Sequence, residues 1–285
     1  MSPCNPNSSL NARLQRFFAQ SVLTPDGQIT YRQAGAQRIT HVLLHGIGSA
    51  SGSWLMQLEA AEKDAQVGVL AWDAPGYSAS TPVRPAQPDA SDYATRLWDW
   101  LDALGSTQPV TLVGHSLGAL MAARAAVQRP ARVASLVLLA PAQGYARASP
   151  DDRHKKLNDR LSQLEKLGPQ GLGQQRGAGM VSPHATPEMR AYVQRMMSQV
   201  NVPGYTQAAH LLAGGDLLAD LALMACPIAV ASGQLDSATP VAACQSVATA
   251  AHTSWVDLGP VGHACALEAS ARVNTLLNFD QRTHT

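Results

Sequence analysis

Short apolar runs alternate along the chain with longer stretches whose apolar residues recur at helical spacing. Val42–Leu44, Gly68–Trp72, Val110–Val113, Leu136–Leu139, Ile228–Ala231 and Ser254–Leu258 are β-branched or leucine-rich and read as strands. Such near-continuous apolar runs suit parallel strands covered by helices on both faces. Between them, Ala90–Leu104 and Leu117–Gln128 carry the helical period, and Val241–Ala251 carries it weakly. The β-α-β-α order predicts an α/β protein with a mostly parallel, doubly wound sheet.

The alternation stops from about Tyr145 to Leu221. That stretch is rich in polar residues, glycine and methionine, and its spacing predicts helices at Asp151–Leu167, Pro187–Val200 and Gly204–Ala213 with no strand between them. We therefore expect residues 1–144 and 222–285 to form the core and 145–221 an inserted helical cap. Thr81–Pro88, with three prolines, reads as a surface loop.

Composition narrows the class. The chain has 285 residues, of which 46% are hydrophobic and only 14% charged, which argues against disorder. A net charge of +1 supplies no field to hold a polyanion or a charged membrane surface, so neither nucleic acid nor membrane is expected as a partner. The first residues lack the apolar centre of a signal peptide. The longer apolar runs are cut by Ser135, Asp220 and Pro227, well short of the roughly 20 residues a membrane span needs. A cytoplasmic protein is expected. Cys4, Cys226, Cys244 and Cys265 contain no C-x-x-C pair and read as reduced, mostly buried thiols. No His or Cys spacing offers a closed ligand set, and His41 and His45 would not share a face in a strand and turn, so neither metal nor cofactor is expected.

The segment with the clearest chemistry is Val110-Thr-Leu-Val-Gly-His-Ser-Leu-Gly-Ala-Leu, a strand running through Gly114-His115-Ser116-Leu117-Gly118 into an alanine-rich helix. A G-x-S-x-G turn in that context is a nucleophile elbow. The tight turn projects the serine hydroxyl outward and tolerates only small residues two before and two after it. The helix start at Leu117 supplies free N–H groups and a partial positive charge.

These residues resemble the α/β-hydrolase family, and the likeness extends from about Ile29 to Leu277. His45-Gly46-Ile47-Gly48 matches that family's first oxyanion turn, and Asp73-Ala-Pro-Gly-Tyr-Ser-Ala-Ser its structural D-x-P-G-x-S turn. The resemblance implies oxyanion donors at the backbone N–H of Ile47 and of Leu117. It also implies the chain order serine, acid, histidine.

Downstream of Ser116, His154, His184 and His210 fall in the expected cap, His284 in the tail, and His252 at the wrong end of a strand. His263 follows the strand Ser254–Leu258 at the carboxyl edge where α/β sheets place their sites. Asp236 follows Ile228–Ala231 in a loop, whereas the rival Asp257 lies inside a strand whose pleat fixes its direction. The reading is a catalytic Ser116–Asp236–His263 triad, with His115 packing beside the elbow.

A serine at the elbow sets aside the family branches that use aspartate there. Asp236-x-x-Thr-Pro and Gly262-His-x-x-x-x-Leu-Glu are similar to the 3-oxoadipate enol-lactonase and small carboxylesterase group. The expected substrate is a small ester or lactone. Meta-cleavage hydrolases, which cut a carbon–carbon bond, are the rival; they usually carry Trp after the histidine, where this chain has Ala264. A slow-turnover binding protein on the same fold is a further alternative.

Arg176 is the candidate for holding a substrate carboxylate, set against a plain solvated arginine. Met180, Met189, Met196 and Met197 are candidates for an acyl pocket, set against ordinary core. Across 145–221 nine Lys/Arg face seven Asp/Glu, so no strong electrostatic funnel is expected, and substrates should be mostly apolar or weakly anionic.

Overall fold

A computed structural model describes residues 9–279, which places Cys4 and His284 outside the described residues. Its strands are β1 (Gln20–Thr24), β2 (Gly27–Gly35), β3 (His41–Leu44), β4 (Gly68–Trp72), β5 (Val110–His115), β6 (Val133–Leu139), β7 (Ile228–Ser232) and β8 (Trp255–Asp257). Its helices are α1 (Leu10–Leu14), α2 (Leu55–Ala61), α3 (Ala90–Ala103), α4 (Gly118–Gln128), α5 (Pro150–Arg176), α6 (Pro187–Ser198), α7 (Val202–Gly214), α8 (Leu217–Leu221), α9 (Val241–Ala250), α10 (Cys265–Glu268) and α11 (Ser270–Leu276).

The strands form one sheet in the order β1-β2-β4-β3-β5-β6-β7-β8. β1, β2 and β4 pair antiparallel, and every pairing from β4 onward is parallel. All six expected strands are present. The hairpin β1–β2 was not expected, because β1 alternates half-buried and exposed positions and β2 is interrupted by Gln28, Arg32 and Gln33. A search for continuous apolar runs passes over strands of such mixed composition.

Because side chains alternate across a strand, the sheet sorts its apolar residues into two layers. Val42, Leu44, Leu70, Trp72 and Leu112 face α3 and α4, while Leu43, Val69, Ala71 and Val113 face α2 and α11. Trp54, Trp72, Trp98 and Trp100 are fully buried in these layers.

Helices α5 to α8 all lie between β6 and β7. α5 breaks at Gly168 (φ 60°, ψ 176°), directly before Pro169, so it is two helical runs around a kink. The first run ends where sequence spacing placed it. The second escaped notice because Pro169, Gly171 and Gly173 disfavour helix on propensity. Gly173 is there because a Cβ would collide with Ser198 and the Gln194 carbonyl of α6.

Candidate active site

Ser116 occupies the turn between β5 and α4 at φ 54°, a conformation costing about 1–3 kcal/mol for a non-glycine residue. Its own N–H donates to Leu139 O at 3.0 Å and Ala142 N–H donates to its carbonyl at 3.1 Å, so backbone bonds hold the strained turn in place. The flanking glycines are steric necessities. A Cβ on Gly114 would stand 2.5 Å from Gly118 O, and one on Gly118 would collide with the carbonyl of Leu44. The small-residue rule read from the sequence is thus a statement about how closely α4 crosses β3 and β5.

His263 and Asp236, which are 27 positions apart in the chain, meet as a buried pair with Nδ1 and Oδ2 2.8 Å apart. The loop after β7 fixes the carboxylate. Ala238 N–H and Thr239 N–H donate to Oδ1 at 2.8 and 2.9 Å, and the Thr239 hydroxyl donates to Oδ2 at 2.8 Å. Burial opposes ionisation of Asp236, but the hydrogen bond and charge of His263, together with the Thr239 donors, outweigh it and hold the carboxyl below its ordinary range. These contacts account for the threonine in Asp236-Ser-Ala-Thr239. Asp257, the rival acid, instead accepts from Gln234 Nε2 at 2.6 Å, away from the pair.

His263 is steadied from two further sides. The buried His115 donates from Nε2 to the His263 carbonyl at 2.8 Å. Burial first, and then the adjacent His263 ring, hold the His115 pKa down to about 3, so this donor is a neutral imidazole. Glu268 accepts from Gly262 N–H at 3.0 Å with one oxygen and from Ser182 N–H at 2.9 Å with the other. One carboxylate therefore ties the histidine loop to the inserted segment. Sequence reasoning gave His115 only a packing role; its spacing inside the elbow motif carried no sign of this bond.

The turn His45–Gly48 lies beside the elbow, and a Cβ on Gly46 would stand 3.1 Å from that of Ser116. His45 organises it: Nε2 accepts from Ala74 N–H at 3.0 Å, so Nδ1 carries the proton and donates to Gly46 O at 2.8 Å. Burial lowers the His45 pKa and keeps it in that neutral form. Tyr77 Oη donates to Ile47 O at 2.7 Å, and Ser51 N–H donates to Asp73 Oδ1 at 2.7 Å, so the D-x-P-G-x-S turn braces the neighbouring one. Among the described residues, the N–H groups of Ile47 and Leu117 have no protein acceptor.

Ser116, His263, Ile47 and Leu117 open onto one cavity of about 380 Å³ between the strand ends and the inserted helices. Ser116 Oγ makes no direct hydrogen bond to His263, whose Nδ1 is engaged by Asp236. Met180, Met196 and Met197 line the cavity as the sequence suggested; Met189 does not, and packs against the layer around α2. Arg176 also lines it, half-buried, with Nη1 donating to Gln163 Oε1 at 3.1 Å. Two cations that the sequence reading passed over, Lys156 and Arg160, stand in the same wall. Their four-residue spacing on α5 was a usable signal, but nothing in the sequence said which face looked inward. Cys265 is buried, and burial pushes its thiol pKa well up, so it stays a packed thiol.

Sheet order, elbow and acid–histidine loops together describe a single class of fold. Residues 42–276 match the alpha/beta hydrolase family, and the chain belongs to it. It is 30% identical over 247 residues to a Klebsiella pneumoniae protein named "Putative carbamate hydrolase RutD", covering 83% of this chain and 88% of that one. It is 27% identical over 239 residues to the (E)-2-((N-methylformamido)methylene)succinate hydrolase of Acinetobacter baylyi, covering 82% and 86% respectively. Among solved structures, the enol-lactonase from Burkholderia xenovorans LB400 superposes with a TM-score of 0.79 at 20% identity, covering 91% of this chain and 99% of that one, a likeness of fold. Among the described residues no helix is long and apolar enough to cross a membrane.

Proposed function

We propose that the protein is a serine hydrolase that cleaves a carboxylic ester or lactone of a small substrate through an acyl-enzyme. The observation that carries this reading is the Asp236–His263 pair, 2.8 Å apart, facing the cavity into which the strained elbow presents Ser116.

His263 Nε2 takes the Ser116 proton as Oγ attacks the substrate carbonyl carbon. Asp236, bound to Nδ1, fixes the tautomer and stabilises the imidazolium. Negative charge develops on the carbonyl oxygen and is met by the unpartnered N–H groups of Ile47 and Leu117, each such donor being worth about 3–4 kcal/mol. The tetrahedral intermediate collapses, the alkoxide leaves with the proton from His263, and the acyl group remains on Ser116. Water, deprotonated by the same histidine, then releases the acid and restores the serine. No step calls for a metal or cofactor.

The inserted helices act in this proposal as the cap that closes the cavity and selects the acyl group. Ala264 follows His263 and lines the cavity, which favours ester or lactone cleavage over carbon–carbon cleavage.

Turnover of p-nitrophenyl acetate or butyrate, with covalent labelling by a fluorophosphonate, tests the reading. Both signals should vanish in Ser116→Ala. Wild-type protein that shows neither would overturn the hydrolase assignment, and a much faster rate on a ring-fission dienoate than on any ester would promote carbon–carbon cleavage.

A further inference from the structure

Three cations of α5 converge on the cavity. Lys156, Arg160 and Arg176 all line it, and among the described residues no aspartate or glutamate does. Several cations elsewhere take carboxylate partners: Arg147 pairs with Asp216, Lys155 with Asp159, Arg124 with Asp220, and Arg129 and Arg132 share Asp102.

The partners of the cavity cations are neutral. Arg160 Nη1 donates to Tyr205 Oη at 3.1 Å, Lys156 Nζ sits 4.4 Å over the Tyr145 ring, and Arg176 leans on the Gln163 amide. Arg160 and Arg176 are half-buried, where desolvated charge is costly without a counter-charge. Burial and then the like charge of Arg160 both lower the Arg176 pKa, a repulsion that an anion between the two would relieve. The count of nine cations against seven anions concealed this, because the anions point elsewhere.

We infer that the substrate carries a carboxylate in addition to the carbonyl it presents to Ser116, and that Arg160 and Arg176, assisted by Lys156, receive it. This rests on the hydrolase reading above. Guanidinium forks match the two oxygens of a carboxylate. Met196, Met197 and Leu212, which also line the cavity, supply apolar wall for a short chain linking the two groups. The substrate class is therefore a monoester of a dicarboxylic acid, or a lactone bearing a free carboxylate. Arg176, the cap residue suspected from sequence, becomes one member of a set.

The test compares ethyl hydrogen glutarate with ethyl pentanoate, which share acyl length and leaving group, by titrating released acid. Wild type should prefer the glutarate ester in kcat/KM by about tenfold or more. Arg160→Met and Arg176→Met should each cut that preference by about 10- to 100-fold, chiefly through KM, with Arg160→Lys restoring part of it. A wild-type preference at or below one, or a preference unmoved by either substitution, overturns the inference.

Calorimetric binding of glutarate to wild type and Ser116→Ala separates the two readings. Arg160-dependent binding without turnover of any ester would keep the carboxylate site and discard the hydrolase. Ester turnover with no preference and no glutarate binding would do the reverse. Tighter binding of inorganic phosphate than of glutarate would overturn the choice of carboxylate. Lys156→Met, at an exposed position, reads the same preference should a buried variant fail to fold.

Discussion

The two walls of the cavity are built by different physics. The sheet wall is fixed by backbone approaching backbone: Gly114 against Gly118, Gly118 against Leu44, and a serine forced to positive φ between them. The inserted wall is fixed largely by side chains reaching for loop carbonyls. Tyr192 Oη donates to Gly52 O at 2.7 Å, Asn201 Nδ2 to Ser78 O at 2.9 Å, and Gln207 Nε2 to Val83 O and Pro85 O at 2.8 Å. Steric constraints tolerate almost no change, whereas amide and hydroxyl contacts can be exchanged at modest cost. The wall carrying the proposed chemistry is thus the rigid one, and the wall proposed to select the substrate is the adjustable one.

Removing the acid should break the comparison most sharply. Asp236→Asn leaves the loop bonds to Oδ1 available but takes the charge from His263, and kcat should fall by about 10⁴-fold with the ranking of substrates unchanged. A ranking that moves with it would show that the two walls are not separable.

Acid should weaken the sheet side. His41 and His115 are held at about 4 and about 3 by burial, against an ordinary 6.5. Their neutral forms stabilise the fold fully above pH 6.5. Below it the unfolded chain takes up protons first, and stability is lost progressively toward about pH 4 for His41 and about pH 3 for His115, on the order of a few kcal/mol. Urea midpoints at pH 7.5 and pH 5 measure the loss, and equal midpoints would contradict it.

Gly118→Ala places a methyl group against the Leu44 carbonyl and should cost about 2–3 kcal/mol in thermal or urea unfolding. Its counterpart on the other wall is smaller. Asn201→Ala removes bonds to Gly76 O and Ser78 O and should cost about 1 kcal/mol, raising KM several-fold while kcat stays within a factor of about three. An equal loss of stability in these two variants would erase the distinction between the walls.

The same division explains what could be read from sequence. Ser116 and Asp236 each follow a strand with a continuous apolar signature and His263 follows the short strand β8, so their chain positions alone put them at one sheet edge, and the structure brings Asp236 and His263 into contact. β1 alternates half-buried and exposed positions and β2 is broken by Gln28, Arg32 and Gln33, so neither shows a continuous apolar run, and they went unseen. α2, α10 and α11 are seven residues or fewer, too short for the helical period to register. In the inserted helices the period was visible but the facing was not. Lys156 and Arg160 share α5 with Asp151, Asp152, Asp159 and Glu165, and only tertiary packing decides which charges turn inward. Glu268, quoted as part of a motif, showed its bridging role only once Ser182 was placed against it.

That bridge, with the meeting of Gly76 and Gly204, sets rules for transplanting one insertion onto another scaffold. A Cβ on Gly76 would stand 2.5 Å from the Gly204 Cα, so a donor helix must bring a glycine to this contact and the recipient turn must keep its own. The incoming segment must also offer a backbone N–H where Ser182 now meets Glu268, or the histidine loop loses one of its fixings. A chimaera that respects both fastenings exchanges only the surface proposed to select the substrate, and on that proposal specificity becomes a replaceable part.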